Sequence, residues 1–262
     1  MLTQTRSQRP TRSTRRGIPT PTWAVSVVAL ILFLLIPAPF AQAAPARALQ
    51  DEIRAGNSLL ASFQKSQGFA ETPQTKAIEE YLQKVGDKVA QNAKRKLPYK
   101  FHLDPHPGFR SAVAYPGGTI VVGGGALALM THEDELAVVL GHEIAHIDLN
   151  QCAERVIASM QKDRLTPDEF DKLSIEDFGR PYGKDGELAA DEEGIKLAVA
   201  AGYSPHAAVE LLEVFQFLNR DAKPTPARKD APSLAERIRQ ARDEIKNQGW
   251  DESKPQKPLE LP

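Results

Sequence analysis

The sequence predicts an α+β fold, mostly helical, with a small β-sheet, in one domain behind a short leader. Three observations predict it. From residue 48 onward most of the chain places apolar residues at three- and four-residue spacing, the period of a helix that buries one face. Only two short runs, near residues 97–104 and 119–122, alternate or are β-branched as strands are. Without its leader the 262-residue chain keeps about 219 residues, enough to bury a core unaided. Cys152 is the single cysteine, so no internal disulfide is expected.

The leader is residues 1–43. Arg6, Arg9, Arg12, Arg15 and Arg16 precede any acid, Trp23–Ile36 carries no charge, and Ala41-Gln42-Ala43 is a small-x-small site. That order is a cleavable secretory signal. The apolar run is shorter than the roughly 20 residues of a spanning helix; the alternative is an uncleaved signal anchored in the inner membrane. The full chain has 33 basic and 34 acidic residues, and losing five arginines leaves 28 against 34, a net charge of −6. A nucleic-acid binder carries a basic footprint, so that class is excluded.

The domain then runs from 44 to 247. Ala48 to about Phe63 and Thr75 to about Lys96 read as helices. Leu97–Asp104 alternates as a short strand, Pro116-Gly117-Gly118 marks a turn, and Thr119–Val122 is a β-branched strand closed by three glycines. A helix follows from an N-cap at Thr131, with Glu133, Asp134 and Glu135 in its first turn, and is expected to run through Asn150 toward Met160. Residues 161–182 are charged and proline-punctuated, an expected exposed excursion. Residues 186–201 form another helix, stopped by Gly202, and Ser204-Pro205 opens the next. Ser233 to Glu236 is a capping box before a last amphipathic helix, and 248–262 is expected to be a disordered tail.

The stretch Leu136–Leu149, "LAVVLGHEIAHIDL", sets His142, Glu143, His146 and Asp148 in apolar surroundings. His142 and His146 are four apart, so a helix puts them on one face about 6 Å apart along its axis. Two imidazoles there can grip one ion, and Glu143, turned about 100° away, reaches a water on the metal. This is the H-E-x-x-H arrangement of zinc peptidases. Zinc needs a third protein donor and an open position. Glu187 and Asp191 offer it, again four apart: one carboxylate on zinc, the other fixing a histidine tautomer. The competing reading is a solvated acidic face, since Glu192 and Glu193 follow. His102, His106, His132 and His206 read as ordinary. Asp148 has no place in the motif and reads as a solvated or capping charge.

These motifs resemble metallopeptidase family forty-eight, the group of HtpX, the CAAX prenyl proteases and the BepA-like proteases. "AVAYPGGTIVVGGGALALM", "GHEIAH" and "ELAADEEGIKLAVAAGYSP" stand in its order and spacing, across about residues 50–245, and the likeness is nearest to soluble periplasmic members without a helical-repeat domain. The resemblance implies a gluzincin, a zincin-type domain with one Zn2+ per chain held by His142, His146 and Glu187. Glu143 is then the catalytic base and Asp191 supports a ligand. It also implies that the strand after Pro116-Gly117-Gly118 edges the cleft. Gly118, Thr119, Ile120 and Val121 are therefore the expected substrate-binding residues, pairing with an extended substrate through main-chain hydrogen bonds. The bland alternative is a small structural sheet. The chain departs from the family's pattern at Ser111-Ala112-Val113-Ala114, at Gln151 and at Ala231-Pro232, the last two where a histidine is frequent. The oxyanion donor stays open among Tyr203, His206 and Arg237.

The expected function is zinc-dependent endopeptidase action on exported proteins in envelope quality control, in the periplasm. Expected partners are unfolded or misassembled proteins, with possible association to the envelope membrane or assembly machinery. The rival is chaperone-like binding of unfolded outer-membrane proteins with rare or repressed proteolysis.

Overall fold

The computed structural model describes residues 39–262 apart from 69–70, 221–229 and 252. The expected leader lies almost wholly outside the described residues. The chain divides into Met1–Gln42 and Ala43–Pro262, and the second unit carries the fold. Among the described residues no helix is long and apolar enough to cross a membrane.

Helix α1 spans Pro39–Gln67 and α2 spans Pro73–Ala90. The N-terminus of α2 is fixed by a reciprocal cap: Thr72 and Thr75 each accept the other's backbone N–H. Strands β1 (Lys100–Asp104), β2 (Ala112–Tyr115) and β3 (Thr119–Gly123) form one mixed sheet in the order β1-β3-β2. β1 runs parallel to β3 and β2 antiparallel to it. The turn between β2 and β3 is Pro116-Gly117-Gly118, where Gly117 takes φ 75° and a Cβ would stand 2.5 Å from the Ile53 Cα. The small helix α3 (Gly124–Leu127) closes this section.

The sheet order corrects one expectation. Every residue of β3 is buried, and both its edges are taken by neighbours. Gly118, Thr119, Ile120 and Val121 therefore cannot receive a substrate strand. A short strand dominated by Ile120, Val121 and Val122 is what a central, doubly covered position demands. The edge that borders the cleft belongs to β2, whose mixed, short sequence carried no strand signal.

Helix α4 (Glu133–Asp148) runs through the core, with Leu136, Ala137, Leu140, Ile144 and Ile147 fully buried against α2, the sheet and α7. Val139, by contrast, is only partly buried and lines the cleft. The helix starts at His132 rather than Thr131 as N-cap, because Glu135 folds back to accept the N–H groups of both residues. It does not continue to Met160. Asn150 adopts φ 63°, a left-handed conformation that asparagine tolerates, and a separate helix α5 (Gln151–Asp163) departs in a new direction. Asp148 is buried, not solvated: its carboxylate accepts from the Lys94 and Arg95 N–H groups at 2.9 and 2.5 Å.

The 161–182 segment is also more buried than its charge suggests. It holds a 3-10 turn (Pro167–Lys172) and helix α6 (Ile175–Phe178), and Phe170, Leu173 and Phe178 enter a second core cluster with Leu59, Phe63 and Tyr115. Its aromatic and aliphatic residues are few but regularly placed among the charges, which hid the buried face.

Helix α7 (Gly183–Ala200) lies along α4 in direct backbone contact. A Cβ on Gly141 would be 2.5 Å from the Gly194 carbonyl oxygen, and one on Gly194 would be 2.6 Å from the His142 nitrogen. These two glycines set the spacing of the helices. Helices α8 (His206–Leu218) and α9 (Leu234–Gln248) pack with α7 in a third cluster. Ser233 and Glu236 form the expected capping box of α9.

The chain's last residues dock on the start of α4, where a disordered tail was expected. The Lys257 carbonyl accepts the Glu133 N–H at 2.7 Å, and the Leu259 N–H donates to the Thr131 carbonyl at 2.9 Å. Lys257 also gives its N–H to Asp134 at 2.8 Å and its ammonium to Glu133 at 2.5 Å. The first turn of α4 buries three carboxylates, and the tail supplies two of them, Glu133 and Asp134, with donors that buried charge requires.

Candidate active site

The H-E-x-x-H turn lies on α4 where α7 crosses it, and the two helices bring four of the predicted side chains together. His142 and His146 face each other with Nε2 atoms 3.0 Å apart. Glu187 on α7 places its carboxylate oxygens 3.6 Å from the His142 Nε2 and 3.9 Å from the His146 Nε2. One donor atom from each of the three lies within 4.8 Å of the others.

Each donor is oriented by a neighbour on another element. Asp191 Oδ1 stands 2.9 Å from the His142 Nδ1; a carboxylate only accepts, so that nitrogen carries the proton and Nε2 is left as the donor to a metal. Asp191 is itself gripped by Arg237 on α9, Nε at 2.7 Å and Nη2 at 2.5 Å. The His146 Nδ1 donates to the Gln151 Oε1 at 2.5 Å, while the Gln151 Nε2 donates to the Gly186 carbonyl at 3.2 Å, which fixes the amide's direction. Glu187 accepts the backbone N–H of Tyr182 at 2.8 Å. The Tyr182 ring stacks on His146 with centroids 4.4 Å apart.

The two Nε2 atoms, 3.0 Å apart, need something positive between them, either a proton on one ring or a metal ion held by both. Ligand nitrogens sharing a tetrahedral zinc stand about 3.3 Å apart, given bonds of about 2.0–2.1 Å. The donor set of two imidazoles and one carboxylate, with the backing just described, fits zinc and leaves a position open.

The electrostatics agree. Burial lowers the His142 pKa, but the Asp191 and Glu187 carboxylates outweigh it and raise it to about 10. Burial, and then the charge of His142, hold His146 well below the ordinary imidazole value. Burial opposes ionisation of Glu187, yet hydrogen bonding and attraction from His142 pull it down to about 2. The cluster without metal is thus one that stores a proton where a cation belongs. Glu143 differs: burial raises it to about 7, and the Ala114 N–H of β2 donates to its carboxylate.

These residues floor a cleft of about 510 Å3. One wall is β2 with Phe109 and the 175–182 segment; the other is α8, with Ala208, Leu211, Leu212 and Phe215. The Ser111 carbonyl accepts the Gly123 N–H, so residues 111, 113 and 115 point their main-chain groups at β3, and 112 and 114 point theirs outward. The outward groups of Ala114 are engaged by Glu143 and by the Cys152 thiol.

Of the oxyanion candidates only Arg237 lines the cleft. Tyr203 donates to Glu133 at the far end of α4, and His206 pairs with Glu210. Sequence reasoning missed Gln151 and Tyr182. The signal for Gln151 was its place one turn beyond His146, where an amide serves as well as an imidazole. Tyr182 lay in a segment assigned to solvent.

Residues 76–165 match the model of Peptidase family M48. The chain is 30% identical over 120 residues to the mitochondrial metalloendopeptidase OMA1 of Arabidopsis thaliana, covering 43% of this chain and 25% of that protein. It is 29% identical over 153 residues to the mitochondrial metalloendopeptidase OMA1 of Schizosaccharomyces pombe, covering 54% of this chain and 44% of that protein. The chain thus spans a quarter to less than half of the length of the curated relatives it matches. The region similar to Peptidase family M48 contains His142, Glu143 and His146, and with Glu187 the two histidines form a candidate zinc site. The family match ends before Glu187, so the third donor rests on geometry.

Proposed function

We propose that the protein is a zinc-dependent endopeptidase that cleaves unfolded or misassembled exported proteins, as part of envelope quality control. The observation that carries the reading is the juxtaposition of three inward donors with a buried glutamate, Glu143, on the floor of an open cleft. When bound, zinc supplies Lewis-acid polarisation of a water and of the scissile carbonyl. Glu143, poised near neutral pH, takes the water's proton and returns it to the leaving nitrogen. Asp191 and Gln151 keep both imidazoles in the tautomer that offers Nε2. Arg237 spends Nε and Nη2 on Asp191, leaving Nη1 to donate to the substrate's carbonyl oxygen.

An extended substrate pairs with the outer edge of β2, and Ala112 is the residue whose main-chain groups are placed to receive it. Such pairing reads backbone, not sequence, which suits non-native proteins. The apolar walls favour large aliphatic or aromatic side chains beside the cut. The location we propose is the periplasm, supported by the arginine-rich, apolar and small-x-small order of residues 1–43; sizing the N-terminus of the exported protein tests whether the signal is removed.

Glu143→Gln in the purified protein tests the chemistry. The expected result is stoichiometric zinc with casein cleavage lowered at least about 100-fold, the usual weight of a general base. Cleavage at the parent rate, with contaminants excluded, overturns the role. Retained binding of unfolded outer-membrane protein by an inactive parent would favour a chaperone instead.

A further inference from the structure

Arg155 on α5 touches no metal donor, yet it holds the segment that covers two of them. Its guanidinium lies 3.3 Å from the centroid of the Tyr182 ring, the same ring that stacks on His146. The same guanidinium donates to three carbonyl groups of the approaching chain: Phe178 at 3.5 Å and Arg180 at 2.6 Å through Nη1, and Pro181 at 3.0 Å through Nη2. Tyr182 then gives its N–H to Glu187 and its hydroxyl to the Cys152 sulfur at 3.2 Å. One side chain therefore fixes both the ring that packs on one donor and the N–H that orients another.

We propose that Arg155 is a positioning residue for the metal site, a latch that presses the 175–182 segment onto His146 and Glu187 and so raises the site's affinity for zinc. The inference rests on the zinc reading above and deepens it. The physical case is the planar fork. Arginine can stack on a ring and donate in its own plane to several carbonyls at once; lysine, a point charge on a flexible stem, can do neither. Loss of the latch frees three carbonyls to water and lets Tyr182 leave His146. His146 then keeps Gln151 alone, and Glu187 loses the N–H that aims its carboxylate. Partners of metal ligands are worth about 10–100-fold in affinity, and Arg155 controls two of them together.

The test measures zinc affinity of the full chain by competition with a chromophoric chelator, and the visible absorption of the cobalt-substituted protein. Arg155→Lys keeps the charge and most of the stem. The expected result is a zinc Kd raised about 10-fold or more and an altered cobalt spectrum. Tyr182→Ala should give a similar loss, and the double variant should be little worse than either, since both act through one contact. Lys162→Ala, on the same helix and paired with Asp177 of the same excursion, controls for general loosening and should leave zinc affinity at the parent value. A purely structural role for Arg155 would lower the melting temperature of zinc-free and zinc-loaded protein alike with Kd unmoved. That result, or losses that simply add in the double variant, overturns the proposal. Failure of the parent chain to show stoichiometric zinc, or undiminished zinc binding by His146→Ala, would instead remove the zinc reading itself.

Discussion

Gly194→Ala sets two well-measured effects against each other at the α4–α7 crossing. Alanine is the better helix residue by about 1 kcal/mol. Its methyl, however, would lie 2.6 Å from the His142 nitrogen and 2.8 Å from the His142 Cα. Atoms at rest stand about 3.5 Å apart, so the helices must part by about 0.8 Å, and no rotamer can relieve a backbone contact. Overpacking of this kind costs about 1–3 kcal/mol, leaving a net loss of about 0–2 kcal/mol. Stability alone therefore decides little. The metal site decides more, because His142 and His146 ride on α4 while Glu187 and Asp191 ride on α7. Zinc tolerates donor displacements of about 0.2 Å, a quarter of the forced shift. The expected outcome is a zinc Kd at least about 10-fold weaker, measured by chelator competition, with a melting temperature lowered by no more than about 8 °C. Parent zinc affinity in a folded Gly194→Ala protein would refute the claim that glycine contact sets the donor spacing.

Three further outcomes follow from the same structure. Removing residues 253–262 takes away the tail's hydrogen bonds to the start of α4 and should lower stability by about 2–3 kcal/mol, read from denaturant midpoints; an unchanged midpoint would mean the docking contributes nothing. In zinc-free protein, His142 and Glu143 both have folded pKa values above their unfolded ones, about 10 against 6.5 and about 7 against 4.5. Their contributions are whole below the unfolded values and fade as pH rises through the folded ones. The melting temperature without zinc should fall between pH 6 and pH 10, and the gain on adding zinc should widen, because His142 must shed its proton to bind; a pH-independent gain counts against this. Burial pushes the Cys152 thiol up to about 12, so iodoacetamide at pH 8 should leave the native protein unmodified by mass and alkylate it fully in denaturant.

What the sequence disclosed was mostly local. Helices with a strong period, the capping box at Ser233 and the Pro116-Gly117-Gly118 turn lie where their residues direct, because the causes are neighbours in the chain. The H-E-x-x-H spacing is legible for the same reason. The strand order was not. Thr119–Val122 reads as β-branched in any sheet position, and only its burial on both faces makes it central, a property of the partners. β2 was illegible because Ala-Val-Ala-Tyr has no alternation. The break at Asn150 was hidden because an amphipathic pattern continues on both sides, although asparagine was a fair sign of a left-handed residue. The tail's charge suggested solvent, but Lys257 is charged because its partners Glu133 and Asp134 are.

The supports of the site show why long-range readings are harder and more informative. His142 is backed from α7 by Asp191, and Asp191 from α9 by Arg237. His146 is backed from α5 by Gln151, and Gln151 from α7 by the Gly186 carbonyl. Glu187 is backed by Tyr182, and Tyr182 from α5 by Arg155. Each donor thus ends a chain of two contacts that returns to a different helix. An imidazole needs only an acceptor behind its protonated nitrogen, so Gln151 serves where a histidine is frequent, provided its amide cannot flip. The bond to Gly186 prevents that flip. The cost of such a design is that the site exists only when α4, α5, α7 and α9 are docked together. Zinc affinity therefore reports the assembly of the whole domain, and substitutions far from the metal should be visible in it.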